Sequence, residues 1–195
     1  MESILDLPGR FIIYDTEYTT WEGAPERKWS GPGEHRELVQ IGAIVVDGIE
    51  MRELESFEIL MRPRLNPALS GFFVSLTGIT QEQVDRYGVE FPQAWDIFSK
   101  WLHGLPAYSY GRGDLEVLKE NCGIWHLEFR LDESFFRDIC PVFDGNGIDT
   151  SQYHSSTIVT AFGSTPRKES HTGLSDSRSI LDALKLLRAV QQHKS

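Results

Sequence analysis

Short apolar runs and helix-like spacings alternate along most of the chain. The apolar runs predict strands over residues 10–18, 38–46, 53–61, 106–110 and 135–139. Apolar spacing and capping residues predict helices over residues 67–76, 92–102, 114–121, 155–162 and 172–192. Three strands followed by helices that alternate with two further strands predict an α/β fold, with a five-stranded mixed sheet flanked by helices.

Local signals set several boundaries within this pattern. Asp47-Gly48 predicts a hairpin turn between the second and third strands. Thr80 is a predicted N-cap, with Gln83 three residues later to complete a capping box. One face of the helix over residues 92–102 is apolar and predicted to lie in the core, through Trp95, Phe98, Trp101 and Leu102. The polar segment over residues 19–36 is an insertion of undefined role, whose tryptophans Trp21 and Trp29 pack on the body or cap a cleft.

The composition is that of a soluble protein. The 195 residues are 40% apolar and 25% charged, which predicts one domain over residues 1–195 with a core over about 8–190. No apolar run is long enough to span a membrane. Residues 1–7 lack the basic start of a secretory signal, and Cys122 and Cys140 lack metal-ligand spacing. We therefore expect a cytoplasmic protein with reduced thiols.

The net charge of −10 argues against binding nucleic acid through the overall field. Five cationic residues nevertheless lie beside the acidic motifs described below: Arg112, Lys119, Arg167, Lys168 and Arg178. Taken singly, each of these is expected to be an ordinary solvated charge. The same expectation applies to Glu34, His35 and Glu37, which stand in a polar loop ahead of a strand.

Four carboxylates and one histidine stand at the ends of the predicted elements. Asp15 and Glu17 close the first strand, and residues two apart on a strand point to the same face. Asp114 opens a helix after the strand over 106–110, and Asp176 lies in the first turn of the last helix, five residues after His171. Because open α/β sheets place their chemistry at strand ends and helix N-termini, we expect these five residues to share one cleft.

Four carboxylates around one cleft require cations to remain ionised, and oxygen ligands favour Mg²⁺ or Mn²⁺. The arrangement predicts two-metal phosphodiester hydrolysis, in which cations about 3.5–4 Å apart bind the scissile phosphate. Asp15 is expected to bridge the two cations, and Glu17, Asp114 and Asp176 to complete the ligand set. His171 is expected to take the proton from the attacking water, since an imidazole ordinarily titrates near pH 6.5.

These residues resemble the motifs of the DEDDh 3′→5′ exonucleases, which have a ribonuclease-H-like fold. Three segments are similar to the Eri-type, histone-mRNA-exonuclease-like branch: D-T-E-Y-T-T-W-E (15–22), L-S-G-F-F-V-S-L-T-G-I-T-Q-E-Q-V-D (69–85) and H-T-G-L-S-D (171–176). The resemblance covers about residues 8–190. It implies a nuclease that starts at the 3′ end of a single strand, with RNA favoured and DNA possible, and that releases 5′-mononucleotides.

The resemblance also implies substrate contacts. Phe72 and Leu76 would contact the terminal nucleobase, and the backbone from Thr16 to Tyr18 would receive the 3′-terminal sugar. Many Eri-type relatives carry a base-stacking aromatic residue directly before the third-motif aspartate, whereas this chain has Gly113 there. A stacking residue would then come from elsewhere, for example Tyr110 or Trp21.

Two alternative functions remain open. An oligoribonuclease-like enzyme acting on very short oligomers would need no basic track, which suits the acidic composition. A non-catalytic nucleic-acid-binding or protein-binding module on the same fold would not need four clustered carboxylates. The physiological substrate and the oligomeric state are not defined by these patterns.

Overall fold

A five-stranded mixed sheet forms the centre of the fold, as predicted. The computed structural model of the chain describes residues 5–167 and 171–194. The strands are β1 (Arg10–Tyr18), β2 (Leu38–Asp47), β3 (Arg52–Leu60), β4 (Ala107–Ser109) and β5 (Phe136–Asp138). Their order is β3-β2-β1-β4-β5. The β3-β2-β1 part is antiparallel, and β4 and β5 are added in parallel.

Six α-helices flank the sheet within the described residues. They are α1 (Gly71–Thr77), α2 (Gln81–Tyr87), α3 (Phe91–Trp101), α4 (Gly113–Ile124), α5 (Cys140–Asp144) and α6 (Gly173–Lys194). The predicted capping box between Thr80 and Gln83 is present at the start of α2. Gly78, with a φ of 73°, ends α1 in the left-handed conformation that favours glycine.

Three predicted helix boundaries were wrong. The helix expected from residue 67 begins at Gly71, because the Ser70 side chain accepts a hydrogen bond from Phe73 N and caps it. Residues 155–162 form a turn followed by the short 3₁₀ helix Ile158–Phe162. The helix expected over residues 114–121 continues to Ile124, and Trp125 N still donates to Asn121 O. The short α5 helix lacked a predicted counterpart, because its five residues are too few to show helical spacing.

The hairpin between β2 and β3 has a longer loop than Asp47-Gly48 alone suggests. Asp47 Oδ1 accepts hydrogen bonds from Ile49 N and Glu50 N, both at 2.9 Å, and Met51 has a φ of 53°. Gly48 is needed for packing rather than for the turn, because a Cβ there would lie 2.0 Å from Pro8 O. The glycine therefore permits close backbone packing, and Asp47 organises the turn.

The two faces of the sheet bury separate hydrophobic clusters. Ile12 and Tyr14 of β1 face α3 and α4, whereas Phe11 and Ile13 face α6. This alternation is the two-residue period of a strand. Of the predicted core residues on α3, Trp95, Phe98 and Leu102 are buried, while Trp101 is half-buried and its ring packs at a tilt against Phe57, with ring centroids 5.0 Å apart.

The structure also bears on membrane-spanning helices and on the state of the two cysteines. Among residues 5–167 and 171–194, no helix combines the length and apolar character needed to cross a bilayer. Cys122 and Cys140 are both free thiols.

Candidate active site

Three carboxylates meet where β1 ends beside the start of α6. Asp15 and Glu17 continue the row of Phe11 and Ile13 on the face that α6 covers. Asp176 stands in the first turn of α6. One oxygen from each of Asp15, Glu17 and Asp176 lies within 4.8 Å of the other two. Asp15 is 8% exposed and Asp176 7% exposed, so these charges are largely withdrawn from water.

Two glycines allow α6 to approach the sheet closely enough to bring Asp176 to β1. A Cβ on Gly42 would lie 1.9 Å from Leu174 N, and one on Gly173 would lie 2.6 Å from Asp15 O. Hydrogen bonds hold the same contact. Gly173 N donates to Gln40 Oε1 at 2.8 Å, and Ser177 Oγ donates to Gly42 O at 3.1 Å. Backbone packing therefore fixes the position of the three-acid cluster.

Asp114 joins this site from the first turn of α4. Its Oδ1 accepts two hydrogen bonds from Thr16, one from the backbone N at 2.9 Å and one from Oγ1 at 2.6 Å. Thr16 lies between Asp15 and Glu17, so the third predicted motif is tied directly to the first. The structure thus brings together all four predicted carboxylates, although the oxygens of Asp114 lie outside the 4.8 Å set.

Burial raises the pKa of each carboxylate, and repulsion between the acids adds to this effect at Asp15, Glu17 and Asp114. The pKa values of Asp15 and Glu17 are well above the ordinary range, first because of burial and then because of the neighbouring acids. Burial raises the pKa of Asp114 to about 6, although the two hydrogen bonds from Thr16 oppose the shift. Burial also raises the pKa of Asp176. Without a cation, this cluster therefore holds protons that ordinary carboxyl groups have lost.

His171 lies at the edge of the acidic cluster. Its side chain is 50% exposed, and its Nδ1 is 4.0 Å from Asp176 Oδ2. It stands just ahead of α6, after residues 168–170, so the predicted cation Lys168 lies outside the described residues. An exposed ring beside a buried carboxylate has access to both solvent and the cluster.

The predicted substrate-contacting residues differ in their surroundings. Phe72 and Leu76 are exposed and lie four residues apart on α1, so they share one helix face. Tyr18 is half-buried, with the Trp29 ring against it at 5.6 Å. Thr16 is buried, and both its N–H and its hydroxyl donate hydrogen bonds to Asp114 Oδ1. The Ser70 hydroxyl donates to Thr20 O, which links α1 to the segment that follows β1.

The position before Asp114 is open. A Cβ on Gly113 would meet nothing within 4 Å. Of the two substitutes suggested from the sequence, Tyr110 directs its hydroxyl to Thr150 O at 2.9 Å, and Trp21 is half-buried.

Sequence reasoning missed two residues that act on the acids. Ser155 Oγ donates to Asp176 Oδ2 at 3.1 Å and also hydrogen-bonds to Asp15, lowering the pKa of both carboxyls. The charge of His154 also lowers the pKa of Asp176. Both residues lie in a turn far from the acids in sequence, and a serine in a turn carries no signal of such a contact.

Three of the five cations beside the acidic motifs form ion pairs at the protein surface and remain partly exposed to solvent. Arg178 pairs with Glu53, Arg167 with Asp182, and Lys119 with Glu133. Each of these pairs places the positive charge against a carboxylate of the protein. Arg112 is exposed, and within residues 5–167 and 171–194 it has no ion pair.

Comparisons with known proteins identify the family of this chain. The model of the exonuclease family RNase_T matches residues 12–184. The probable 3′-5′ exonuclease KapD of Bacillus subtilis is 28% identical over 189 residues, which cover 94% of this chain and 85% of KapD. The 3′-5′ exoribonuclease 1 of Rattus norvegicus is 26% identical over 181 residues, which cover 86% of this chain but 50% of the rat protein.

A solved structure shows the same fold. The nuclease domain of 3′hExo, a DEDDh family member bound to rAMP, superposes with a TM-score of 0.78 at 24% identity, covering 94% of this chain and 92% of that domain. The sheet and helices described above are therefore those of the ribonuclease-H-like fold, as predicted. The family match spans the acidic cluster as well as the sheet, and the chain belongs to the RNase_T exonuclease family.

Proposed function

We propose that the protein is a metal-dependent 3′→5′ exonuclease that hydrolyses single-stranded nucleic acid, RNA in preference to DNA, to 5′-mononucleotides. The juxtaposition of Asp15, Glu17 and Asp176 oxygens within 4.8 Å carries the proposal. The names of KapD, a probable 3′-5′ exonuclease, and of the rat 3′-5′ exoribonuclease 1 support the direction and the preference for RNA.

The donor set fits hard divalent cations. The three side chains whose oxygens lie within 4.8 Å of one another are all carboxylates, and the neighbouring acids raise the pKa values of Asp15 and Glu17 through a repulsion that a cation relieves. Asp15, Glu17, Asp114 and Asp176 would hold two Mg²⁺ or Mn²⁺ ions. When bound, such ions neutralise charge on the scissile phosphate and acidify a water molecule.

We assign His171 as the general base. Its Nδ1 lies 4.0 Å from Asp176 Oδ2, which places the ring beside the ligand set without a hydrogen bond to it. The exposure of the ring gives the attacking water access to an imidazole nitrogen, which would accept the proton of that water.

The terminal nucleotide would lie between α1 and the end of β1. Phe72 and Leu76 offer an apolar surface to its base. The Thr16 amide already donates a hydrogen bond to Asp114. The backbone at Glu17 and Tyr18 would therefore contact the 3′-terminal sugar.

Digestion of labelled RNAs with different ends tests the proposal. With Mn²⁺, a linear single strand with a free 3′-hydroxyl should shorten to 5′-mononucleotides, while a 3′-phosphate should slow the reaction strongly. A circular RNA of the same sequence should remain intact. Cutting of the circle would refute an exonuclease, and shortening from the 5′ end would refute the direction.

The charge distribution favours a second candidate, an oligoribonuclease-like activity on dinucleotides and very short oligomers. The net charge is −10, and three of the cations beside the acidic motifs, Lys119, Arg167 and Arg178, are paired with carboxylates. A higher kcat/KM for a dinucleotide than for a long strand would favour this candidate. A non-catalytic binding module is disfavoured, because a binding function does not require four clustered carboxylates.

A further inference from the structure

We propose that a groove beside the end of β3 is a second nucleic-acid contact, which holds the single strand upstream of its 3′ end. This inference rests on the proposed function and extends it to strands longer than the active site. The groove has a volume of about 410 Å³. Six residues line it: Arg62, Pro63, Arg64, Glu90, Gln93 and Trp125.

Two arginines give the groove a local positive charge. Arg62 and Arg64 are exposed, and within residues 5–167 and 171–194 neither forms an ion pair with a carboxylate. Glu90 is the one carboxylate among the six lining residues, so the arginines exceed the acids there. Guanidinium groups that no carboxylate pairs with are available to phosphate oxygens, which they bind in a bidentate manner.

An aromatic ring accompanies these charges. The Arg64 guanidinium lies over Trp125, 5.0 Å from the ring centre, and its Nη1 donates to Ile124 O at 3.3 Å. Trp125 is half-buried, with part of its surface open to the groove. Aromatic rings combined with arginines bind single-stranded nucleic acid without sequence preference, through stacked bases and neutralised phosphates.

A buried glutamate holds the arginine-bearing loop rigidly. Glu37 is 1% exposed, and its carboxylate accepts hydrogen bonds from three successive amides: Arg64 N at 2.6 Å, Leu65 N at 2.8 Å and Asn66 N at 2.6 Å. The expectation that Glu37 is solvated was therefore wrong, because its partners come from a distant loop. A fixed backbone places both guanidinium groups with little loss of entropy on binding.

The groove lies on the same edge of the sheet as the acidic cluster. Leu38, next to Glu37, pairs with Tyr18 at the end of β1, and β3 leaves the sheet at this edge. Trp125 follows the last residue of α4, and Asp114 stands in the first turn of the same helix. The 12 residues of α4 span about 18 Å, which is roughly five phosphates at the ~3.4 Å spacing of one duplex strand. A dinucleotide in the active site is therefore too short to reach the groove.

Charge reversal tests the groove with two substrates. The double variant R62E/R64E should raise KM for a long single-stranded RNA about tenfold and leave kcat unchanged, while kcat/KM for a dinucleotide stays at the wild-type value. The slope of log KM against log salt should weaken by about 0.7 for each phosphate that the variant no longer neutralises. Arg10→Glu is the matched control, since Arg10 is exposed at the opposite end of β1 and should leave both substrates unaffected.

The outcomes separate this proposal from the function on which it rests. The groove proposal is overturned if R62E/R64E lowers kcat/KM for the dinucleotide as much as for the long RNA. It is also overturned if Arg10→Glu raises KM for the long RNA as much as R62E/R64E does. If the wild-type protein cleaves neither substrate, the proposed function fails. Anisotropy of the labelled long RNA in EDTA still tests the groove in that case, because R62E/R64E must weaken binding and Arg10→Glu must not.

Discussion

Thr16 donates two hydrogen bonds to one oxygen of Asp114, from its amide at 2.9 Å and its hydroxyl at 2.6 Å. The contact joins residues 98 positions apart. It stabilises the ionised carboxylate and opposes the effect of burial on its pKa. Thr16 therefore favours the ionised form of Asp114 that the proposed ligand role requires.

The Thr16→Val variant removes the hydroxyl and retains the shape and the amide. A hydrogen bond to a charged group contributes about 1.5–3 kcal/mol, so the pKa of Asp114 should rise above about 6. We expect the Mn²⁺ concentration for half-maximal rate to rise about tenfold at neutral pH. Thr16→Ser restores the hydroxyl and should recover the wild-type value. An unchanged Mn²⁺ requirement in the valine variant would show that Thr16 does not tune Asp114.

Ser155→Ala removes a hydroxyl that bonds to Asp15 and Asp176. The pKa of both carboxyls should rise, because each loses a donor that favours its ionised form. We expect several-fold weaker Mn²⁺ binding in a calorimetric titration, with little change in the melting temperature. Ser156→Ala is the matched control in the same turn. Equal Mn²⁺ affinity in both alanine variants would leave Ser155 without a role in the site.

The stability of the metal-free protein should fall as the pH rises. Asp15, Glu17 and Asp114 have folded-state pKa values above their ordinary values near 3.8 to 4.5, and that of Asp114 is about 6. At a pH below the ordinary pKa values these carboxyl groups are protonated, and the stability they contribute is fully present. The contribution is lost as the pH rises through the pKa values of the folded state. In EDTA, the wild-type melting temperature should decrease between about pH 5 and about pH 8.

Asp15→Asn removes one of the repelling charges and keeps the shape of the side chain. In EDTA near pH 8 the variant should melt at a higher temperature than wild type, and the difference should shrink toward pH 5. Its nuclease activity should be lower by orders of magnitude. A variant that melts like wild type at every pH and retains near-normal activity would show that Asp15 neither repels its neighbours nor binds a cation.

Much of this arrangement was accessible from local patterns. The bounds of β1, the capping box at Thr80 and the position of Asp176 in the first turn of the last helix follow from spacing over a few residues. The contacts of Ser155, the burial of Glu37 and the pairing of Arg178 with Glu53 depend on segments far apart in sequence. A sequence pattern carries no distance between such segments, so those features required the fold.

His171→Ala tests the assigned base. At saturating Mn²⁺ the variant should lose most of the rate and retain wild-type affinity for Mn²⁺ and for RNA, because His171 is not among the assigned ligands. The variant should also lose the pH dependence that the base gives to the wild-type rate, because only the unprotonated ring accepts the proton. His171→Asn should be no better, since an amide does not accept the proton. Loss of Mn²⁺ binding would make His171 a ligand, and a wild-type pH profile in the variant would place the base elsewhere.

We propose that the acidic cluster hydrolyses phosphodiester bonds with divalent cations held by its carboxylates. The direct measurement titrates the metal-free protein with Mn²⁺ while recording the number of bound ions and the rate of cleavage of a 3′-hydroxyl RNA. We predict no cleavage in EDTA and a rate that rises as Mn²⁺ binds. Restoration should also occur with Mg²⁺ but be poor with Zn²⁺, because the ligands are all oxygen. Full turnover in EDTA would contradict the account.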